Sequence, residues 1–324
     1  MLKLTDRAVT DSPIPLITRT EARMLGTALH PRTHIRLRRG IYVLREDYLR
    51  ATPWEQYATR VHAFVRSHPD AVLCLESAGV IYGLPLFGHP RDIHVFDASL
   101  RTSQRYGDVC VHTSVDGREV VSEAGVLVTS LLDTVVDLAR ALSPGLALAV
   151  VDSAISPAQG GTVQLADAYE LIVRQHNPRA RSQARWVCSS ADERAESPAE
   201  SISRAVIEWS GFEQPELQHE FRYDGHHDRV DFLFPRSGTI GEADGWGKYQ
   251  LDDPSAAAAL LTEEKRREDR LRRHGHPFAR WELNDAWRVK PLVEALRAAG
   301  LRQRHPSQPA MLASLRRRTR DRHA

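Results

Sequence analysis

Apolar and polar residues alternate along this chain at spacings that divide it into an ordered set of elements. Near the start, Thr18 with Glu21 three positions on forms a capping box and predicts a short helix. The run IRLRRGIYVLRE then sets Ile35, Leu37, Ile41 and Val43 against arginines around Gly40, which predicts a strand–turn–strand with a basic outer side. A helix is expected from Thr52-Pro53-Trp54, with Thr as the cap and Pro at the first position, to about His68-Pro69. AVLCLESAGVIYGLP predicts a short apolar strand and a helix closed by Gly83 and Pro85. Strands follow at Asp92–Phe96 and Val109–Thr113, then two amphipathic helices on either side of Ser143-Pro144-Gly145. Regular apolar spacing fades from about 155 to 196, which predicts a mobile, helix-containing connector with its boundary nearest Ser190.

The last third has a clear order. SPAESISRAVIEWSGF predicts a helix with Ile202, Ala205, Val206 and Trp209 on one face and Gly211 beyond its end. ELQHEFRY and RVDFLFP predict strands joined through Asp224-Gly225-His226-His227, and TIGEADG predicts a third strand. A long helix opens at Asp253-Pro254 and stops at Gly275, followed by the strand PFARWEL and the helix PLVEALRAAGL. Helix, three-strand meander, helix, strand, helix is an α/β arrangement around one mixed sheet.

Composition narrows the picture little, but charge distribution adds to it. The 324 residues, 42% hydrophobic and 27% charged, carry a net charge of only +2 and are ordinary for a soluble globular protein. Yet seven arginines oppose two glutamates between Arg19 and Glu46, and seven oppose one aspartate after Leu301. Such clusters suit phosphate, although solvated tails share the composition. Three separated cysteines, no signal-like start and no long apolar run imply a cytoplasmic protein, with neither disulfide framework nor membrane span.

Candidate chemistry centres on acids. Glu242 and Asp244 lie two apart on a predicted strand and share a face, and the tight Pro235–Gly238 connection brings Asp231 beside them. Three carboxylates on one face repel unless a cation or proton intervenes. Mg²⁺, with Mn²⁺ as substitute, takes such oxygen ligands and activates water at a phosphate. The competing reading is that these are solvent-facing strand acids. Glu200 also has two readings, as a fourth acid of the site or as the partner of Ser197 in a helix capping box. His226 and His227 read as a hairpin tip, Cys74 and Cys110 as structural thiols, and Trp281 and Trp287 as packing residues.

The run VDFLFP…GEADG…K-Y, preceded by SPAES and followed by EEKRREDRLRRHG and ARWEL, resembles very-short-patch-repair-like endonuclease domains of the PD-(D/E)XK superfamily. The likeness covers about 190–300. It implies a restriction-endonuclease-like core with Asp231 as the motif aspartate, Glu242 as the following acid and Glu200 as the first-helix acid. Asp244 stands where the superfamily has a lysine, and such a lysine orients water and stabilises developing charge. Lys248 and Lys265 are the candidate replacements.

Residues 16–44, LITRTEARMLGTALHPRTHIRLRRGIYVL, resemble the winged-helix segment of AbiEi-family antitoxins, and the following region to about 155 is similar to that family's next domain. The resemblance implies DNA binding, with Arg36, Arg38 and Arg39 on the wing. TALHPRTH leaves room for one helical turn at most, so the reading helix is truncated and phosphate contact is expected rather than base readout. The expected organisation is a degenerate winged helix (1–50), an α+β AbiEi-like domain (51–155), a connector (156–190), a nuclease-like domain (191–302) and a basic disordered tail (303–324). The expected function is Mg²⁺-dependent cleavage of DNA, with RNA still open as a substrate. The rival is a DNA-binding regulator or antitoxin whose partner is a toxin or a second copy of itself.

Overall fold

The structure is a computed structural model and describes residues 2–88, 90–244 and 254–316. It divides into two compact units, Leu2–Leu142 with Gly160–Ser189, and Ser143–Gln159 with Ser190–Arg317. Both are mixed α/β. Among the described residues no helix is long and apolar enough to cross a membrane.

The amino-terminal unit opens with α1 (Leu4–Arg7), β1 (Ile17–Thr18), α2 (Arg19–Met24), β2 (His34–Arg38) and β3 (Ile41–Leu44). Thr18 Oγ1 accepts from the Glu21 amide while Glu21 accepts from the Thr18 amide, so the capping box forms as expected. Residues 25–33 contain no helix. The three strands form a small sheet in the order β1-β3-β2.

Next come α3 (Arg45–Arg50), α4 (Pro53–Ser67), β4 (Val72–Leu73), α5 (Leu75–Tyr82), β5 (Ile93–Phe96), β6 (Gln104–Tyr106), β7 (Val109–His112), β8 (Val120–Glu123), β9 (Val126–Thr129) and α6 (Leu131–Ala141). The six strands make a second sheet in the order β6-β7-β5-β4-β9-β8. Its core joins Tyr57, Val61 and Phe64 of α4 with Val80 and Ile81 of α5 and the strand residues Leu73, Ile93, Val95 and Val128.

The chain then forms α7 (Pro144–Ile155), α8 (Leu165–Arg174) and α9 (Arg181–Ser190). Here the structure corrects the sequence reading twice. Every residue of α7 from Gly145 to Ile155 is buried, so this helix is a core element of the carboxy-terminal unit rather than an amphipathic one. Its one acid, Asp152, is fully buried and paired with Arg204 at 2.7 Å. The expected connector carries two helices, and Gly160–Ser189 packs within the amino-terminal unit. It is tied there through polar side chains. Arg140 donates to the carbonyls of Ile172, Asn177 and Arg179, and Gln183 donates to those of Ala139 and Leu142.

The rest of the carboxy-terminal unit runs α10 (Pro198–Trp209), β10 (Glu216–Tyr223), β11 (His226–Phe234), β12 (Thr239–Asp244), α11 (Pro254–Arg273), β13 (Phe278–Glu282), α12 (Leu283–Arg288), α13 (Lys290–Ala298) and α14 (Pro309–Ser314). Asp224 and Gly225 both have positive φ and close the β10–β11 hairpin in two residues, with His226 and His227 already in β11. The sheet order is β10-β11-β12-β13, antiparallel except for β12 with β13. A parallel pair needs a crossover, and α11 lies in it. Trp281 is 3% exposed, stacks on Phe232 and donates to Ser203 Oγ at 2.8 Å, so it packs the core as expected.

The expected disordered tail is also corrected as far as residue 316. Arg304 and His305 amides donate to the Gly211 carbonyl, the Gln308 amide to that of Trp209, and Leu315 is buried. Gly211, at φ +82°, is needed here. A Cβ at that position would lie 2.1 Å from the His305 carbonyl oxygen.

Candidate functional site

Sheet register aligns a row of polar residues across the carboxy-terminal unit. Phe232 pairs with Gly241, which sets Asp231 next to Glu242, and Glu242 pairs with Arg280 of β13. Gln218, between the Leu217–Phe232 and His219–Val230 pairs, stands opposite Asp231. An oxygen of Asp231 accepts from the Ala243 amide at 2.9 Å, which fixes the carboxylate against β12. The sheet thus presents Gln218, Asp231, Glu242 and Arg280 on four successive strands.

Two helices complete this row. From α10, Glu200 is 4% exposed and accepts from Ser197 Oγ at 2.7 Å, the Glu196 amide at 3.0 Å and Gln218 Nε2 at 2.8 Å. Ser197 Oγ in turn accepts from the Glu200 amide, so Glu200 braces its own helix start while meeting the sheet. Burial, reinforced by the negative charge of Asp231, pushes the Glu200 carboxyl up to about 8. The two readings of Glu200 are therefore not exclusive. Gln218 sits at φ +54°, an uncommon backbone for a non-glycine residue, and its amide reaches Glu200 from there.

From α11, Arg267 reaches the other acids. It donates to Glu242 at 3.0 Å, to Glu264 at 2.6 Å and to the Arg229 carbonyl at 2.7 Å. Burial works against its charge, but the bond to Glu264 and the charges of Glu242 and Glu264 outweigh it and hold the guanidinium above its usual range. Arg280 donates to the same Glu264 oxygen at 2.7 Å and lies 3.6 Å from Asp244. Burial would raise the Glu264 carboxyl, yet the two arginines keep it below its usual value.

The expected acids thus fall into two groups. Glu200 and Asp231 are mutually repelling carboxylates. Glu242, 2% exposed, and Asp244 face arginines. Among the described residues no group of three or more His, Cys, Asp or Glu side chains is gathered around one metal-sized point. The donor chemistry of the first group still fits a hard divalent cation, being oxygen-only and carrying like charges that a cation would relieve. Lys265 is exposed, and the α11 cation that contacts a site carboxylate two residues on is Arg267. Lys248 lies outside the described residues.

Sequence reasoning missed Gln218, Glu264, Arg267 and Arg280. Only Glu264 and Arg267 left a signal, their i,i+3 spacing on a predicted helix, and it was masked by a run of similar pairs.

In the amino-terminal unit Arg36 and Arg39 are exposed on the hairpin. Arg38 is not. It bonds Asp108 at 2.8 Å and covers the Phe64 ring; a register shift between Arg36 and Arg38 breaks the alternation that would keep them on one face, and removes Arg38 from the expected phosphate-facing set.

No family model matches the chain. Two uncharacterized proteins of Mycobacterium tuberculosis, Rv2248 of strain H37Rv and MT2308 of strain CDC 1551, are each 28% identical to it over 260 residues, spanning 80% of this chain and 85% of theirs. A match of that length is longer than either unit, so the likeness includes residues of both.

Proposed function

We propose that the carboxy-terminal unit is a restriction-endonuclease-like domain that hydrolyses phosphodiester bonds in DNA with a divalent cation. The observation that carries this reading is the Glu200–Asp231 pair, two carboxylates from different elements held close and partly buried, next to Glu242. The order of helix, meander, helix and parallel strand also agrees with the resemblance. Asp231 and Glu200 would hold Mg²⁺ or Mn²⁺, with Glu242 as the adjoining oxygen donor. Such an ion, when bound, polarises a phosphate and supplies hydroxide at neutral pH. The chain's own residues set the stage. Gln218 and Ser197 orient Glu200, the Ala243 amide fixes Asp231, and Glu264 aims Arg267 and Arg280 at the remaining acids, bringing positive charge to a strand that carries Asp244 where the resemblance implies a lysine.

Purified protein given Mg²⁺ or Mn²⁺ should cut single-stranded, duplex or mismatched DNA, and lose that activity with EDTA or Asp231→Asn. Hydrolysis is refuted if nothing is cut, or if Asp231→Asn cuts like the wild type.

One observation favours a second reading, a non-catalytic DNA-binding regulator. Glu242 and Asp244 already face Arg267 and Arg280, which is how a scaffold neutralises acids. Under that reading a DNA gel shift survives Asp231→Ala with Glu242→Ala and is lost with Arg36→Ala and Arg39→Ala.

A further inference from the structure

In the amino-terminal unit, α3, α4, residues 90–92 and the β6–β7 turn surround an open cavity of about 550 Å³. That size holds a small ligand. Its apolar walls include Tyr48, Pro53 and Pro90, and Arg60, Arg91 and Arg105 bring positive charge to it.

The carboxylates of the lining do not cancel that charge. Asp92 is matched by Arg105 through two bonds of 2.7 and 2.8 Å. Asp108 is matched by Arg38 at 2.8 Å, with Arg60 farther off at 3.7 Å. Two arginines therefore share one carboxylate. Arg60 is pinned instead by the carbonyls of Arg91 and Pro90, at 2.5 and 2.9 Å, and by the Tyr57 ring beneath it. Carbonyls and rings orient a guanidinium without neutralising it, and a fixed guanidinium is suited to phosphate.

Tyr48 supplies the other half of a nucleotide site. Its half-buried ring lines the same cavity, where a planar base can lie against it. A base can do so only when out of its duplex stack. The basic hairpin borders the cavity, since Arg38 of β2 reaches Asp108 in its lining, and Arg36 and Arg39 remain exposed on either side of Arg38. These two offer charge to neighbouring phosphates, which a free nucleotide would not need.

We propose that this cavity takes one unstacked nucleotide of a single-stranded nucleic acid, its phosphate on Arg60 and its base against Tyr48. The site is separate from the carboxylates of the other unit and holds whether or not those hydrolyse anything.

The test is fluorescence anisotropy of a labelled oligothymidine with the full chain in EDTA, across a salt series, with circular dichroism as the control for folding. The wild type should bind with a falling salt dependence. Arg60→Gln should weaken binding about tenfold and lower the salt slope by about one, as expected for one lost phosphate contact. Tyr48→Leu should weaken it about tenfold with the slope unchanged, as expected for lost stacking. If Arg60→Gln disturbs folding, Tyr48→Leu decides alone. The proposal is overturned if the wild type does not bind, or if Tyr48→Leu binds like the wild type. It is overturned equally if thymidine monophosphate binds as tightly as the oligonucleotide in calorimetry, which would make this a free-nucleotide pocket, or if duplex binds as well as single strand.

Discussion

Replacing Glu200 with glutamine should make the protein more stable, and more so as pH rises. The variant keeps the shape and the neighbours. Its amide oxygen can accept from Glu196 and Gln218 while its NH₂ donates to Ser197 Oγ, which in the wild type donates to Glu200. What changes is the charge. In the folded protein burial and then Asp231 hold the Glu200 carboxyl at about 8, against 4.5 for an unperturbed glutamate. A folded value raised above the unfolded one means that stability is fully present below about pH 4.5 and is lost as pH climbs through about 8. At about 1.4 kcal/mol per pH unit, ionisation costs about 2 kcal/mol near pH 6 and about 4–5 kcal/mol near pH 8.5. Urea unfolding in EDTA should therefore show the gain of Glu200→Gln over wild type growing by about 2–3 kcal/mol between those pH values. Asp231→Asn, which removes the like charge but not the burial, should give a smaller growth of the same sign. If wild type and Glu200→Gln keep a constant difference across the range, the raised Glu200 carboxyl is refuted, and if Asp231→Asn shows no growth, its coupling to Asp231 is refuted.

Arg267→Met takes a cation from Glu242, which is 2% exposed, and should cost about 3–5 kcal/mol in thermal unfolding, whereas Lys265→Met should stay within about 0.5 kcal/mol. Equal effects would discard Arg267 as the cation of this site. Arg38→Ala should destabilise the protein by about 1 kcal/mol through Asp108 and Phe64, while Arg36→Ala leaves stability alone and weakens DNA binding instead. Gly241→Ala should cost about 1–3 kcal/mol, because its Cβ would stand 2.7 Å from the Trp281 ring. A neutral variant would show that Trp281 moves freely.

What could be read from the sequence is what local chemistry decides. Thr18 with Glu21, and Thr52 followed by Pro53, mark helix starts because the first amides of a helix need a nearby acceptor and tolerate proline. Asp224-Gly225 marks a hairpin because both positions need positive φ. The neighbouring placement of Asp231, Glu242 and Asp244 followed from a short connection and a two-residue period. What escaped depends on groups far apart in the chain. Gly160–Ser189 buries only a short stripe in each helix, Ala168 with Ile172 and Ala184 with Val187 and Cys188, and its place is fixed by side-chain bonds to carbonyls that no local pattern announces. Residues 303–316 were read from their arginines, yet a few backbone bonds to Gly211 and Trp209 order the segment. The polarity of α7 was misjudged because one acid in an apolar helix looks like a solvent face until its arginine is placed 52 residues away.

The same limit governs the candidate site. Acids are conspicuous in strands, so the sequence draws attention to them, but Arg267 and Arg280, which pair with two of them, come from a charge-rich helix and a distant strand. Whether three carboxylates form a cation site or a neutralised scaffold depends on how many face an arginine. Here the division falls within the set. Glu242 and Asp244 meet Arg267 and Arg280, while Asp231 repels a buried Glu200. A domain kept only as a scaffold has no use for that repulsion, since a glutamine at 200 would brace the same helix start without it. The repelling pair is therefore the feature that weighs toward chemistry, and the arginine-matched pair the one that weighs toward binding. Cleavage assays on Asp231 variants separate them because only the first reading places a reacting phosphate there.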